Sequence, residues 1–192
     1  MKQLWILAGG NGPGKSTFYD RFLKDKDLSF VNADKIAKEI SSENNLSVSK
    51  SAQQLAMIVC EQKIADGETF CFETVFSHKS KIDLIKKAKT AKYEVNFVFI
   101  HLSSSDLNKA RVFQRVSSGG HDVPPDKIET RIPRSLANLK KALNLVDNAA
   151  LIDNSSAQDP LKIVARIKKK KIIFAIDPLP KWAANATKSL KK

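Results

Sequence analysis

The chain has 192 residues, 42% of them hydrophobic, which is enough for one domain with a sizeable core and leaves little for a second. Its 33 Lys and Arg against 20 Asp and Glu give a net charge of +13, which favours anionic partners (nucleotides, phosphorylated metabolites or nucleic acid) unless the excess is mostly solvated lysine faces. No apolar run reaches the ~18 residues needed to span a bilayer, the run over 4–8 is too short for a secretory leader, and the two thiols, Cys60 and Cys71, make neither a disulfide framework nor a metal cluster, so a soluble cytoplasmic protein with no membrane partner is expected.

Residues 3–8 read as a buried strand, and a helix with Phe18, Phe22 and Leu23 on one face follows from Gly14. A second strand covers 28–32, and Ile36, Ala37 and Ile40 mark a short helix. The polar stretch 41–50 reads as a loop, and 51–66 as a helix stopped by Gly67. A strand at 69–72, a helix over 77–92 and a strand over 94–102 come next. Ser103-Ser104-Ser105 caps a helix over 105–117, and Ser103 to Asp106 has capping-box spacing. Gly119-Gly120 and Pro124-Pro125 break the chain before a helical run from Ile128 to Val146, which Pro133 should kink or split. A fifth strand covers 149–152, Asp159-Pro160 opens a helix ending in Lys168 to Lys171, and 172–176 adds an edge strand. This alternation predicts a single α/β domain over 1–192, a three-layer fold with a mostly parallel sheet of five or six strands and helices on both faces. Ligands of such a sheet bind beyond the carboxyl ends of its strands.

The first such end carries Gly9-Gly10-Asn11-Gly12-Pro13-Gly14-Lys15-Ser16, matching G-x-x-x-x-G-K-[ST] between a strand and a helix. Glycines let consecutive N–H groups curl around one anion, and the helix N-terminus adds unpaired donors. The loop is expected to bind ATP or GTP with Mg²⁺: Lys15 reaches the β- and γ-phosphates, Ser16 ligates the metal and Thr17 touches the α-phosphate.

Acids stand at the next two strand ends. Asp34 is placed either to take a proton from an attacking hydroxyl or to cap the helix behind it. Glu73 is placed to hold Mg²⁺ or the acceptor, or is simply solvated; Thr74, Ser77 and His78 either line an acceptor pocket or make the turn. Arg111 and Arg115 share a helix face, and Gly119-Gly120-His121, Pro124-Pro125, Arg131 and Arg134 follow. Together, 105–135 reads as a helical lid that closes over a nucleotide and excludes water, or as a solvated hairpin. Residues 152–156 either border the nucleotide base or form a capping turn, and no Asn-Lys-x-Asp base-reading motif follows the fourth strand.

These residues together resemble the zeta-toxin-like P-loop kinases, in the small bacterial branch often labelled predicted ATPases. The resemblance runs from about residue 4 to 156 and is carried by Ala8 to Thr17, Asn32-Ala33-Asp34, Glu73-Thr74, Arg115-Val116-x-x-Gly119-Gly120-His121-x-Val123-Pro124, and Arg131-x-x-Arg134-Ser135-Leu136-x-Asn138-Leu139. It implies an ATP-dependent kinase of a small hydroxylated molecule, which in zeta toxins is a UDP-N-acetyl sugar such as UDP-N-acetylglucosamine, with an antitoxin as protein partner. It also implies Asp34 as catalytic base, Arg115 and Arg131 as phosphate clamps and Arg111 against adenine; from their place at the strand ends, Asp34, Glu73 and Thr74 are expected to hold the acceptor. The segment from Glu73 to Ser77 departs from the sugar-binding stretch of the larger zeta toxins. Two other readings compete: an ATP-binding regulatory module read by a protein partner, and a polynucleotide-end kinase prompted by the basic charge.

Overall fold

A computed structural model describes residues 1–40, 46–120 and 122–191. Its strands are β1 (Gln3–Ala8), β2 (Ser29–Asn32), β3 (Phe70–Thr74), β4 (Glu94–His101), β5 (Asn148–Asp153), β6 (Lys162–Lys168) and β7 (Lys171–Ala175). They form one sheet in the order β2-β3-β1-β4-β5-β6-β7. The first five are parallel, as βαβ crossovers require, and β6 and β7 extend the sheet antiparallel. The helices are α1 (Lys15–Phe22), α2 (Ala33–Ile40), α3 (Leu46–Asp66), α4 (Ser80–Thr90), α5 (Ser105–Ser117), α6 (Pro125–Ala142) and α7 (Lys181–Thr187).

The alternation of strand side chains divides the core into two faces. Leu4, Ile6, Phe70, Phe72, Phe97, Phe99 and Leu151 pack on one face against Ala56 and Cys60 of α3, Ile85 and Ala88 of α4, Leu139 and Ala142 of α6, and Ala183 of α7. Leu7, Cys71, Val98, Ile100 and Ile152 pack on the other, against Phe18 and Tyr19 of α1. Both thiols are buried, and burial pushes the Cys60 thiol up to about 12 and the Cys71 thiol above the usual range. They are core groups, as expected.

The differences from the sequence reading have local causes. The sheet has seven strands because 162–168 is a strand, not the expected helix. Ile163, Ala165 and Ile167 alternate with Val164, Arg166 and Lys168, while Leu161, Val164 and Ile167 also fit a helical period, so a short apolar run alone does not choose. Lys168 to Lys171 is therefore a hairpin, not a helix end: Lys169 (φ 46°) and Lys170 (φ 64°) take the left-handed conformation that two-residue hairpins need. The polar stretch expected as a loop is helical from Leu46; its remainder, 41–45, lies outside the described residues. The helix α6 runs unbroken through Pro133, which neither splits it nor ends it. Of the three serines expected to cap α5, Ser104 makes the bond, accepting from Leu107 N at 3.3 Å, so the capping-box spacing counted from Ser103 is not used. No described helix is long and apolar enough to cross a membrane.

Candidate active site

The phosphate loop joins β1 to α1 at the carboxyl edge of the parallel strands. Its backbone needs its glycines. Gly9 (φ 144°) lies so close to β4 that a Cβ there would stand 2.1 Å from Ile100 O, and Gly14 (φ 96°) precedes the first residue of α1. Side chains from three elements fix the loop from outside. Asn108 Nδ2 of α5 donates to Asn11 O at 2.5 Å, Asn154 Nδ2 donates to Pro13 O at 2.8 Å, and Arg131 Nη1 of α6 donates to Asn11 Oδ1 at 3.4 Å. Asn154 is itself held, since its Oδ1 accepts from Leu161 N and its carbonyl from Arg111 Nη2 at 2.8 Å.

Lys15 is buried, and its Nζ donates to Gly10 O at 2.7 Å and Gly9 O at 3.2 Å. Glu73, at the end of β3, is buried as well, so the solvated reading of it fails. Its carboxylate lies 3.9 Å from Lys15 Nζ and accepts from Ser16 Oγ at 3.1 Å. Burial lowers the Lys15 pKa, with Glu73 first and Asp34 second opposing the fall and Arg115 and Arg131 adding to it. Two acids and two arginines thus act on one buried ammonium.

Asp34 is not the helix cap. It sits within the first turn of α2, and Asn32 Oδ1 makes the capping bond to Lys35 N at 3.0 Å. Asp34 is exposed into a cavity of about 760 Å³, which Lys15, Glu73, Thr74, Arg115 and Arg131 also line. Arg131 is half-buried; burial lowers its pKa, and Asp34 is the leading charge that opposes this.

The two arginines of α5 diverge around the loop. Arg115 lines the cavity, while Arg111 turns to Asn154 on the other side, with its Cβ 3.3 Å from where a Gly12 Cβ would be. Arg134 is exposed and does not line the cavity, and Ser16 and Thr17 are exposed at the start of α1. Ser77 and His78 line the cavity. His121 lies outside the described residues, so the glycine turn is described only to Gly120, where a Cβ would meet Arg115 Cγ at 2.4 Å.

Three contributions were hidden in the sequence. Asn108 precedes Arg111 by three residues on one helix face, a usable signal, but nothing in the sequence indicates its reach to Asn11. Ser135 Oγ donates to Val75 O at 2.7 Å and Asn138 Nδ2 to Phe76 O at 3.0 Å, so α6 holds the turn after β3. That turn needs holding, because Phe76 has a φ of 65° that a bulky side chain rarely adopts. Lys81 also lines the cavity from α4.

Ser16 and Glu73 offer a hydroxyl and a carboxylate 3.1 Å apart beside Lys15, hard oxygen donors that suit Mg²⁺ shared with phosphates. Among the described residues no group of three or more His, Cys, Asp or Glu side chains converges. The lysine hairpin is remote from all this. Lys168 pairs with Asn148, the first residue of β5, whereas the cavity lies beyond the last residues of the parallel strands.

No family model matches the chain. It is 30% identical over 137 residues to an uncharacterized protein of Haemophilus influenzae, covering 68% of this chain and 97% of that protein. Its fold is similar to a chain of the AvrRxo1-ORF1:-ORF2 complex solved with ATP, with TM-score 0.68, 18% identity and 90% of this chain covered. The chain spans 60% of the length of that relative. It is also similar to a chain of the PezAT chromosomal toxin–antitoxin system of Streptococcus pneumoniae, with TM-score 0.63, 13% identity, 86% of this chain covered and 72% of that one. The chain belongs to one family with the Haemophilus influenzae protein, and its fold is that of the zeta-toxin-like P-loop kinases.

Proposed function

We propose that the protein is an ATP-dependent kinase that phosphorylates a hydroxyl group of a small molecule. The observation that carries this reading is the convergence of Lys15, Glu73, Asp34, Arg115 and Arg131 on one cavity beside the phosphate loop. A motor or a switch needs the loop and a metal-holding acid; a carboxylate exposed into a cavity large enough for a second substrate suits transfer to an acceptor.

In this mechanism the backbone N–H groups of residues 9–14 and the start of α1 bind the phosphates, with Ser16 and Thr17 beside them. Arg111, on the far side of the loop from the cavity, borders the base together with Asn154. Lys15 leaves its two loop carbonyls for the β- and γ-phosphates. Ser16 and Glu73 would hold Mg²⁺, which would supply charge neutralisation for the phosphates. Asp34 accepts the proton of the acceptor hydroxyl as its oxygen bonds to the γ-phosphorus; the bond to the bridging oxygen breaks and its electron pair leaves with ADP. Arg115 and Arg131 stabilise the charge of the transferring phosphoryl group. Thr74 lines the acceptor side with Glu73 and Asp34.

The stretch 105–135 serves as a lid, since α5 and α6 each contribute an arginine to the cavity and a fastening to the loop. The acceptor belongs to the hydroxylated metabolites, a nucleotide sugar such as UDP-N-acetylglucosamine among them. An antitoxin-type partner that covers the ATP site is the protein partner this reading favours, because one solved relative named above is a chain of a two-protein complex and the other of a toxin–antitoxin system. The hairpin's distance from the cavity argues against a polynucleotide end as acceptor.

The test is incubation with γ-labelled ATP, Mg²⁺ and a metabolite extract, with the labelled product identified by mass spectrometry. A labelled metabolite is the expected result. Tight ATP binding with no labelled product would leave a regulatory ATP-binding module instead.

A further inference from the structure

Lys81 stands in the first turn of α4 and lines the cavity, although only 8% of it is exposed. Among the described residues its Nζ has no hydrogen bond and no carboxylate within ion-pair distance; the Phe72 ring, 5.5 Å away at its centroid, is the neighbour its charge faces. A buried ammonium without a counter-charge is unfavourable, and burial holds its pKa below the usual lysine range. Among the described residues the nearby walls do not supply the missing charge. Residues of α3 that line the cavity include Lys50 and Gln53 but no acid, and the stretch from Thr74 to Lys81 contributes Ser77 and His78 but no acid. Among the described residues the cavity's acids are Asp34, Glu73 and Asp122, and Glu73 is already engaged by Lys15 and Ser16.

We propose that Lys81 binds an anionic group, carboxylate or phosphate, on the acceptor, so that the substrate is a hydroxylated anion and not a neutral sugar or alcohol. This inference rests on the kinase reading and narrows its substrate. Seating the anion on Lys81 supplies the absent counter-charge in a water-poor part of the cavity, where a charge-assisted hydrogen bond is strong. The hydroxyl of the same molecule is then left to face Asp34, an exposed acid of the cavity beside Lys15 and Arg131.

The experiment divides a metabolite extract on an anion-exchange resin into flow-through and retained fractions. Each is incubated with γ-labelled ATP, Mg²⁺ and the full chain, as wild type, Lys81→Met and Lys81→Arg. Met matches the length of the lysine stem and is tolerated in apolar surroundings, and thermal unfolding and ATP binding of each variant report on its integrity. The expected result is transfer only to the retained fraction, with kcat/KM lowered about tenfold or more by Lys81→Met and largely restored by Lys81→Arg, ATP binding being unchanged. Digestion of the retained fraction with phosphodiesterase and phosphatase together separates the sources: loss of the acceptor shows a phosphate, monoester or diester, and survival a carboxylate. Transfer to the flow-through fraction, or transfer to the retained fraction that Lys81→Met leaves unaltered, overturns the proposal while the kinase reading stands. No transfer to either fraction overturns both.

Discussion

Ser16 Oγ donates to Glu73 Oε2 at 3.1 Å, and this bond joins the helix that ends the phosphate loop to the strand beside it. The same carboxylate is the leading charge that supports protonation of Lys15. Glu73→Gln keeps an oxygen acceptor and removes the charge. It is expected to weaken Mg²⁺-dependent ATP binding and lower phosphoryl transfer by about 10²-fold, with the fold retained. Calorimetric titration of ATP with and without Mg²⁺ checks this; equal Mg²⁺ dependence in variant and wild type would remove Glu73 from the metal site.

Two glycines of the site separate close approach from backbone conformation. At Gly9 a Cβ meets Ile100 O at 2.1 Å and φ is 144°, whereas at Gly119 φ is 79° and nothing lies within 4 Å. Gly9→Ala should cost about 3 kcal/mol or more, because backbone of two central strands must move, and Gly119→Ala about 1 kcal/mol for the left-handed conformation alone. Urea unfolding of both variants gives the comparison, and equal losses would contradict the account of the loop.

Asn154 ties the end of β5 to the loop. Asn154→Ala removes the bonds to Pro13 O and Leu161 N and leaves a buried carbonyl unpaired. A loss of about 1–3 kcal/mol in stability is expected, with weaker ATP binding as the loop loses its fixed shape. An unchanged ATP affinity would show that the loop is held without it.

His101 predicts a pH dependence. Its ring is buried against Trp182, 4.8 Å away between centroids, and burial lowers its pKa to about 4, with Asp153 opposing. The folded state therefore keeps the ring neutral below pH 6.5, where the unfolded chain binds a proton. This contribution is fully present above 6.5 and is lost as pH falls toward 4, about 3 kcal/mol in all. Denaturant titrations across that window should show this loss in wild type and a flatter profile in His101→Phe.

The phosphate loop was legible because its glycines, its lysine and the flanking strand and helix coincide within ten residues. The parallel sheet was legible from apolar runs alternating with helical patterns. What escaped was set by contacts distant in sequence. Asn32 and Asp34 both suit a helix cap, and only the backbone shows that Asn32 caps and Asp34 is left for the cavity. Arg111 and Arg115 share a face at helical spacing, yet only Arg115 lines the cavity, while Arg111 is drawn to Asn154 O. Lys81 carries no motif; its meaning comes from burial on a cavity wall. The strand at 162–168 was lost to an apolar spacing that serves two periods.

On the kinase reading, Asp34 serves phosphoryl transfer and not nucleotide binding. The most direct measurement is transfer of γ-label to the acceptor by Asp34→Asn beside wild type, with ATP affinity determined on the same preparations. Unchanged ATP affinity is expected, with transfer lowered by about 10²–10⁴-fold. Transfer at the wild-type rate by Asp34→Asn would contradict it.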